Sequence, residues 1–158
     1  MAPKFIYLDH AAATPVADFV LAAMEPFLTN DFYNPSSPYA PAIAVRHSYE
    51  AAKASLASVI GAKPDEITMT AGATESINLV FNSVTGHVVT SAIEHPAVLQ
   101  AARSHPHTLV QPTPKGVITA ESVLEAITPD TQLVSIALAN NELGTIQSLN
   151  KIAAVVQA

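Results

Sequence analysis

The 158-residue sequence contains no cysteine, few basic residues and no long apolar run. Without cysteine the chain can form no disulfide and offers no nucleophilic thiol. Seven Lys and Arg against 13 Asp and Glu give a net charge of −6, which argues against a nucleic-acid partner. No apolar run approaches the roughly 18 residues of a membrane span, and the start of the chain is too short and mixed for a signal peptide. These absences predict a cytoplasmic globular protein that binds neither nucleic acid nor membrane.

Helical and strand-like segments alternate along most of the chain. Two helices are predicted first, at 19–28 and 43–60, with Gly61 closing the second. Strands are then predicted at 67–70, 87–91, 108–111 and 132–138, with helices at 74–83, 96–103, 120–127 and from 148 onward. This alternation is typical of an α/β fold in which helices flank a mostly parallel sheet.

The segment TAGATES at 70–76 follows the first predicted strand and opens a helix. We expect Gly72 to allow a tight turn, and the amides of Ala73 and Thr74 and the Thr74 hydroxyl to be available as donors to an anion. The segment alone is equally compatible with an ordinary strand-to-helix turn in which Thr74 is the N-cap. It therefore indicates a phosphate site only in combination with other segments.

Two such segments follow later strands. TSAIEHP at 90–96 places His95 at a strand's carboxyl end, with Pro96 at the first position of a helix. LANNELGT at 138–145 places Asn140 and Asn141 after a nearly continuous apolar strand. Ligands of open α/β sheets bind at that edge, so His95 could stack on a ring or move a proton there. A structural histidine and an Asn-rich turn closed by Gly144 are the simpler alternatives.

In this order the segments resemble the cysteine desulfurases of the NifS/IscS type, in the class V aminotransferase group of fold-type-I pyridoxal phosphate enzymes. The resemblance rests on five motifs: YLDHAAATP at 7–15, NPSS at 34–37, GATES at 72–76, EHP at 94–96 and NNELGT at 140–145. The third and fifth motifs are the specific ones. The sequence departs from the usual pattern at His10 and Ala13, and at 38–39 after the second motif.

The resemblance implies a set of roles. Ala73 and Thr74 would hold the phosphate of pyridoxal 5'-phosphate, His95 would lie against its ring as an acid or base, and Asn141 would reach its phenolic oxygen. In the family, sulfur from L-cysteine passes to an enzyme cysteine as persulfide, alanine is released, and a sulfur-acceptor or scaffold protein takes the sulfur toward Fe-S cluster or thio-cofactor synthesis. The resemblance also implies a homodimer, whereas no metal site is expected.

Several features of the family are missing from this sequence. None of the five lysines follows a histidine, as the Schiff-base lysine does, and there is no cysteine to carry a persulfide. We therefore expect a truncated chain, inactive alone, with an entry segment at 1–15 and the amino-terminal part of the cofactor-binding large domain at 16–158. Alternatives are a selenocysteine lyase, a class V aminotransferase, or a non-catalytic module that binds phosphate or cofactor.

The family topology also bears on the sheet. Strands that come later in the family sequence separate the equivalents of 67–70 and 132–138. Strands 87–91, 108–111 and 132–138 are therefore expected to pair among themselves, with strand 132–138 either at an unpaired edge or paired with another molecule.

Overall fold

The computed structural model describes residues 5–157, which form two compact units that meet in sequence between Met69 and Thr70. The first unit is helical: α1 spans Asp18–Thr29, α2 spans Ala40–Val59, and a short 3-10 turn spans Pro64–Glu66. Gly61 follows α2 with a φ of 69°, in the left-handed region, so its predicted role in closing the helix is confirmed. No residue of α1 is buried.

The second unit contains a three-stranded parallel sheet. Its strands are β1 (His87–Ser91), β2 (His107–Val110) and β3 (Thr131–Ser135), and its helices are α3 (Ala73–Phe81), α4 (Pro96–Ala102), α5 (Ala120–Ala126) and α6 (Leu149–Val156). The strand order is β2-β1-β3, with Val89 paired to Thr108 on one side and to Val134 on the other. The α/β class with a parallel sheet is confirmed.

Helices cover both faces of this sheet because successive side chains of a strand point to opposite sides. Val88 packs with Phe81 of α3 and with Val98 and Ala102 of α4. Val89, its neighbour, packs in a second cluster, whose buried members are Val110, Ile118, Val123 and Ile152. Thus α3 and α4 lie on one face, α5 and α6 lie on the other, and the buried run of β1 is the centre of the unit.

This arrangement creates a crevice between β1 and β3. The chain leaves β1 toward α4 on one face and leaves β3 toward α6 on the other, although the two strands are neighbours. Where neighbouring parallel strands send their connections to opposite faces, an opening forms at their carboxyl ends, and ligands of open α/β sheets bind there. The turn that carries His95 and the loop that carries Asn141 both start at this opening.

One strand prediction was wrong, one extended too far, and β2 lies one residue earlier than the predicted 108–111. Residues 67–70 form no strand, and β3 ends at Ser135 instead of residue 138. A strand needs a neighbour to satisfy its backbone groups. Within residues 5–157, β3 pairs with β1 alone, which confirms the expected unpaired edge there. Beyond Ser135, the amide of Ala137 donates to a side chain, Glu94, and the chain leaves the sheet.

The predicted helices all form, with ends that differ from the prediction by three residues or fewer. Within residues 5–157, no helix has the length and apolar character needed to cross a bilayer.

Candidate functional site

The turn after β1 and the loop after β3 line one cavity of about 310 Å³. Its lining residues are Ala92, Ile93, Glu94, His95, Pro96, Asn140, Asn141, Glu142 and Leu143. Two of the four residues proposed for the site from sequence, His95 and Asn141, are therefore neighbours at the carboxyl edge of the sheet. Ala73 and Thr74 are not among the residues that line this cavity.

His95 occupies the N-cap position of α4 and is exposed. Its Nδ1 accepts a hydrogen bond from the amide of Ala97 at 3.1 Å, which requires that Nδ1 carry no proton. The neutral ring therefore has its proton on Nε2. Pro96 starts the helix and has no amide hydrogen, so Ala97 provides the first amide that the His95 ring can accept from. This hydrogen bond fixes the ring beside the cavity and leaves Nε2 available to a ligand.

The two consecutive asparagines differ in what their side chains do. Asn140 Nδ2 donates to the carbonyl of Ile93 at 2.7 Å, and its Oδ1 accepts from the amides of Glu142 and Leu143. No hydrogen-bond partner for the exposed Asn141 side chain is found among residues 5–157. Asn140 therefore builds the loop, and Asn141 is free to contact a ligand.

Glu94 connects the two sides of the crevice. The residue is 8% exposed, and its Oε1 accepts from the hydroxyl of Ser91 at 2.8 Å and from the amide of Ala137 at 2.9 Å. One oxygen therefore joins the end of β1 to the segment after β3. No side-chain oxygen or nitrogen is both fully buried and unpaired in the described part of the chain, so Oε2, which accepts no hydrogen bond, keeps some solvent access.

Gln147 connects the loop of Asn141 to the turn at 116–118. Its buried side chain accepts from the amide of Ile118 at 2.8 Å and donates to the carbonyl of Gly116 at 2.9 Å. Gly116 has a φ of 73°, and a Cβ there would lie 3.0 Å from Leu143 Cδ1. The turn at 116–118 and the loop at 140–147 are thus fastened together by an amide side chain and by close packing.

Thr74 and Ala73 start α3, on the same face of the sheet as α4. Neither of their amides has an acceptor among residues 5–157, whereas Glu75 and Ser76 donate to the carbonyl of Gly72. The chain bends at Ala71 and Gly72, but the φ of 166° at Gly72 is extended backbone that any residue adopts, so the bend does not require a glycine. Thr74 is also not the N-cap, because Gly72 holds that position. The two amides, at the start of a nine-residue helix, remain available as donors.

A larger cavity, of about 570 Å³, lies at the opposite, amino end of the strands. It includes His87, to which sequence reasoning assigned no role. The His87 ring lies 2.8 Å from the hydroxyl of Thr131 and 2.9 Å from that of Thr108, and so joins all three strands. Because its ring nitrogens already have protein partners, this histidine is structural, and we place the functional site at the smaller cavity.

Sequence reasoning missed Glu94 and Gln147 as supports of the site. Their partners at Ala137, Ile118 and Gly116 lie 29 to 43 residues away. Only the position of Glu94, directly before His95 and three residues after a serine, hinted at a local hydrogen bond.

Comparison with known proteins gives consistent matches. The sequence pattern of the family Aminotransferase class-V matches residues 6–158. The chain is 35% identical to "Cysteine desulfurase IscS" of Methanosarcina thermophila, over 98% of this chain and 41% of the relative. It is 39% identical to the protein of that name from Dictyoglomus turgidum, over 94% of this chain and 41% of the relative. The chain thus spans about two fifths of the length of these relatives.

Solved structures of similar fold point to the same group of proteins. A structure described as "SspA in complex with cysteine" superposes with a TM-score of 0.91 and 38% identity, over 96% of this chain and 47% of that one. A "NIFS-LIKE PROTEIN" gives 0.87 and 34%, over 96% and 45%.

Proposed function

Because the chain belongs to the class-V aminotransferase family, we propose that it is the amino-terminal part of a pyridoxal 5'-phosphate-dependent cysteine desulfurase. The observation that carries the proposal is the cavity shared by His95 and Asn141, two residues that lie 46 positions apart in sequence and have unused polar atoms. The matched relatives named as cysteine desulfurases, and the similar structure described as containing cysteine, support L-cysteine as the substrate.

The described residues suit this cofactor. Among residues 5–157 the amides of Ala73 and Thr74 have no acceptor, and together with the Thr74 hydroxyl they would hold the phosphate at the start of α3. The carboxamide of Asn141 has no partner among the same residues, which suits an oxygen on the ring. When bound, pyridoxal 5'-phosphate supplies an electron sink for chemistry at the amino-acid substrate.

His95 is the candidate acid or base of this chain. With Nδ1 engaged by Ala97, its Nε2 is the atom that would donate or accept a proton at the substrate. Its N-cap position also sets the plane of the ring, so that stacking and proton transfer would use one fixed geometry. Pocket walls from 92–94 and 140–143 would shield one side of that site from water.

The proposal extends to the whole enzyme. Residues 1–15 would be an entry segment and residues 16–158 the amino-terminal part of the cofactor-binding domain. The enzyme would be a cytoplasmic homodimer that passes sulfur to an acceptor or scaffold protein. These 158 residues include no cysteine and no lysine preceded by histidine, so we expect the chain alone to release no sulfide from L-cysteine above the level of free cofactor.

Cofactor titration tests the proposal. We expect the chain to perturb the absorbance of pyridoxal 5'-phosphate saturably, and Thr74→Val and Asn141→Ala to weaken the affinity on the order of tenfold each. Thr68→Val and Asn82→Ala are matched controls, since both residues are exposed and their side chains have no hydrogen bond among residues 5–157. Absence of saturable binding, or equal affinity in all four variants, would contradict the proposal.

A further inference from the structure

We propose that Glu94 is a positioning residue: its buried carboxylate holds the loop of Asn141 against the turn of His95 and so sets the geometry of the pair. The link is the hydrogen bond from the amide of Ala137 to Glu94 Oε1, 2.9 Å long, between segments 43 residues apart. The consequence for cofactor binding depends on the proposed function, whereas the coupling of the two segments does not.

The position of Glu94 explains how this one side chain can orient the loop of Asn141. Glu94 directly precedes His95. The amide that donates to Glu94 belongs to Ala137, which lies just after β3 and four residues before Asn141. Within residues 5–157 no strand pairs with β3 on its other side, and the backbone bonds from Gln147 to Leu138 and from Asn140 to Thr145 join the loop only to itself. Glu94 therefore supplies a contact that orients the start of the loop relative to β1.

The surroundings favour a carboxylate acceptor at this position. Glu94 Oε1 accepts two hydrogen bonds at once, from Ser91 at 2.8 Å and from Ala137, and bonds to an ionised oxygen are stronger than neutral ones. The Ser91 hydroxyl is itself buried and fixes the rotamer of the carboxylate. With Oε2 not fully buried, the charge retains contact with water and can be accommodated.

A second contact points the same way. Asn140 Nδ2 donates to the carbonyl of Ile93 at 2.7 Å, directly before Glu94, and its Oδ1 organises the turn at 142–143. The loop is thus attached to the turn at Ala137 through Glu94 and at Asn140 through the Ile93 carbonyl. Removing the Glu94 contact should let the loop pivot about Asn140 rather than release it entirely.

The coupling can be measured on the 158-residue chain without any ligand. We expect Glu94→Ala to speed hydrogen exchange of the Ala137 amide on the order of tenfold or more, because that donor loses its acceptor. Residual dipolar couplings of the amides at 140–143 should shift relative to those of β1, which reports a change in loop orientation. Glu94→Gln should restore both values, since an amide oxygen can accept the same two bonds.

Controls separate positioning from general stability. Glu125→Ala removes an exposed carboxylate from α5 and should change neither measurement. If Glu94→Ala does not fold, Ser91→Ala provides the test: it removes the hydroxyl that orients Glu94 and should speed exchange at Ala137 by a smaller factor. If hydrogen exchange and dipolar couplings are unchanged in a folded Glu94→Ala variant, Glu94 does not couple the two segments. If Glu94→Ala does not fold, the same result in Ser91→Ala leads to the same conclusion.

Cofactor titration of the same variants tests the functional consequence. Glu94→Ala should weaken binding of pyridoxal 5'-phosphate, and Glu94→Gln should recover it. A loop that moves without a change in affinity would overturn the positioning role. If the unmodified chain binds no cofactor, the proposed function fails, and the loop measurements still decide whether Glu94 couples the two segments.

Discussion

The two units of the chain differ in how their apolar residues are used. Of the twelve buried hydrophobic residues in the described chain, only Ala42 and Ala57 belong to the first unit. In that unit Phe19 is 79% exposed, whereas Ile118 in the second unit is 1% exposed. Both units contain helices with apolar residues at helical spacing. A periodic pattern therefore predicts that a helix forms, but burial of its apolar residues requires a surface to pack against, which the sheet provides in the second unit.

The sheet also explains why the site is formed in the second unit. A parallel sheet covered on both faces gathers the ends of distant strands at one edge, and β1 and β3 bring His95 and Asn141 together there. Residues 5–69 of the first unit contain no strand and so form no such edge. Each of the following paired substitutions places one change in each unit, in order of expected effect.

The largest effect should come from the core. Ile118→Ala should lower the free energy of unfolding of the second unit by about 2–5 kcal/mol, because it leaves a cavity among Val89, Val123 and Ile152. Phe19→Ala, at a highly exposed position, should change stability by about 0.5 kcal/mol or less. Urea denaturation followed through NMR signals of β1 and α1 measures both. Equal losses would show that the contrast in burial has no energetic counterpart.

A substitution at one glycine in each unit should have a smaller effect on stability, with a more specific structural cause. In Gly86→Ala the new Cβ would lie 2.7 Å from Gln132 Cδ and 2.8 Å from the carbonyl of Asp130. The Gln132 side chain is held by the amides of Thr85 and Gly86, so it cannot easily move away. We expect a loss of about 1–3 kcal/mol in the second unit.

Gly61→Ala is the counterpart in the first unit. Its φ of 69° strains alanine and most other residues with a Cβ, but no atom lies within 4 Å of the new group. We expect about 1–2 kcal/mol from backbone strain alone. Gly61→Asn distinguishes the two causes, because asparagine tolerates this conformation and should recover part of the loss. If Gly86→Ala proves harmless in the same denaturation assay, the close packing at β3 is not rigid.

The predictability of each element follows from the range of the interactions that form it. β1 was predicted with its observed ends because Val88 and Val89 lie between Gly86 and the turn before Pro96, which are local signals. Residues 67–70 have equally strand-like residues yet form no strand, since strand formation depends on a partner. For the candidate site, the places of His95 and of the two asparagines after strands indicated the carboxyl edge of the sheet, whereas the choice of Asn141 over Asn140 came from the family resemblance. Glu94 could not, because its essential partner, Ala137, lies 43 residues away.

The smallest effects should come from the helix caps. Thr119 caps α5, since its Oγ1 accepts from the amide of Ser122 at 3.1 Å, whereas Ala17 at the start of α1 has no side chain that can accept. Thr119→Ala should destabilise the second unit by about 1 kcal/mol. Ala17→Ser should stabilise α1 by about 0.5–1 kcal/mol, because Ala17 already has the extended backbone of an N-cap, with a ψ of 142°. Amide hydrogen exchange in each helix measures the two changes.

Thr119→Ser, which keeps the hydroxyl, and Ala17→Val, which adds bulk without an acceptor, are the controls. Should Ala17→Ser leave exchange in α1 unchanged, the helix would be limited by its lack of burial rather than by its missing cap.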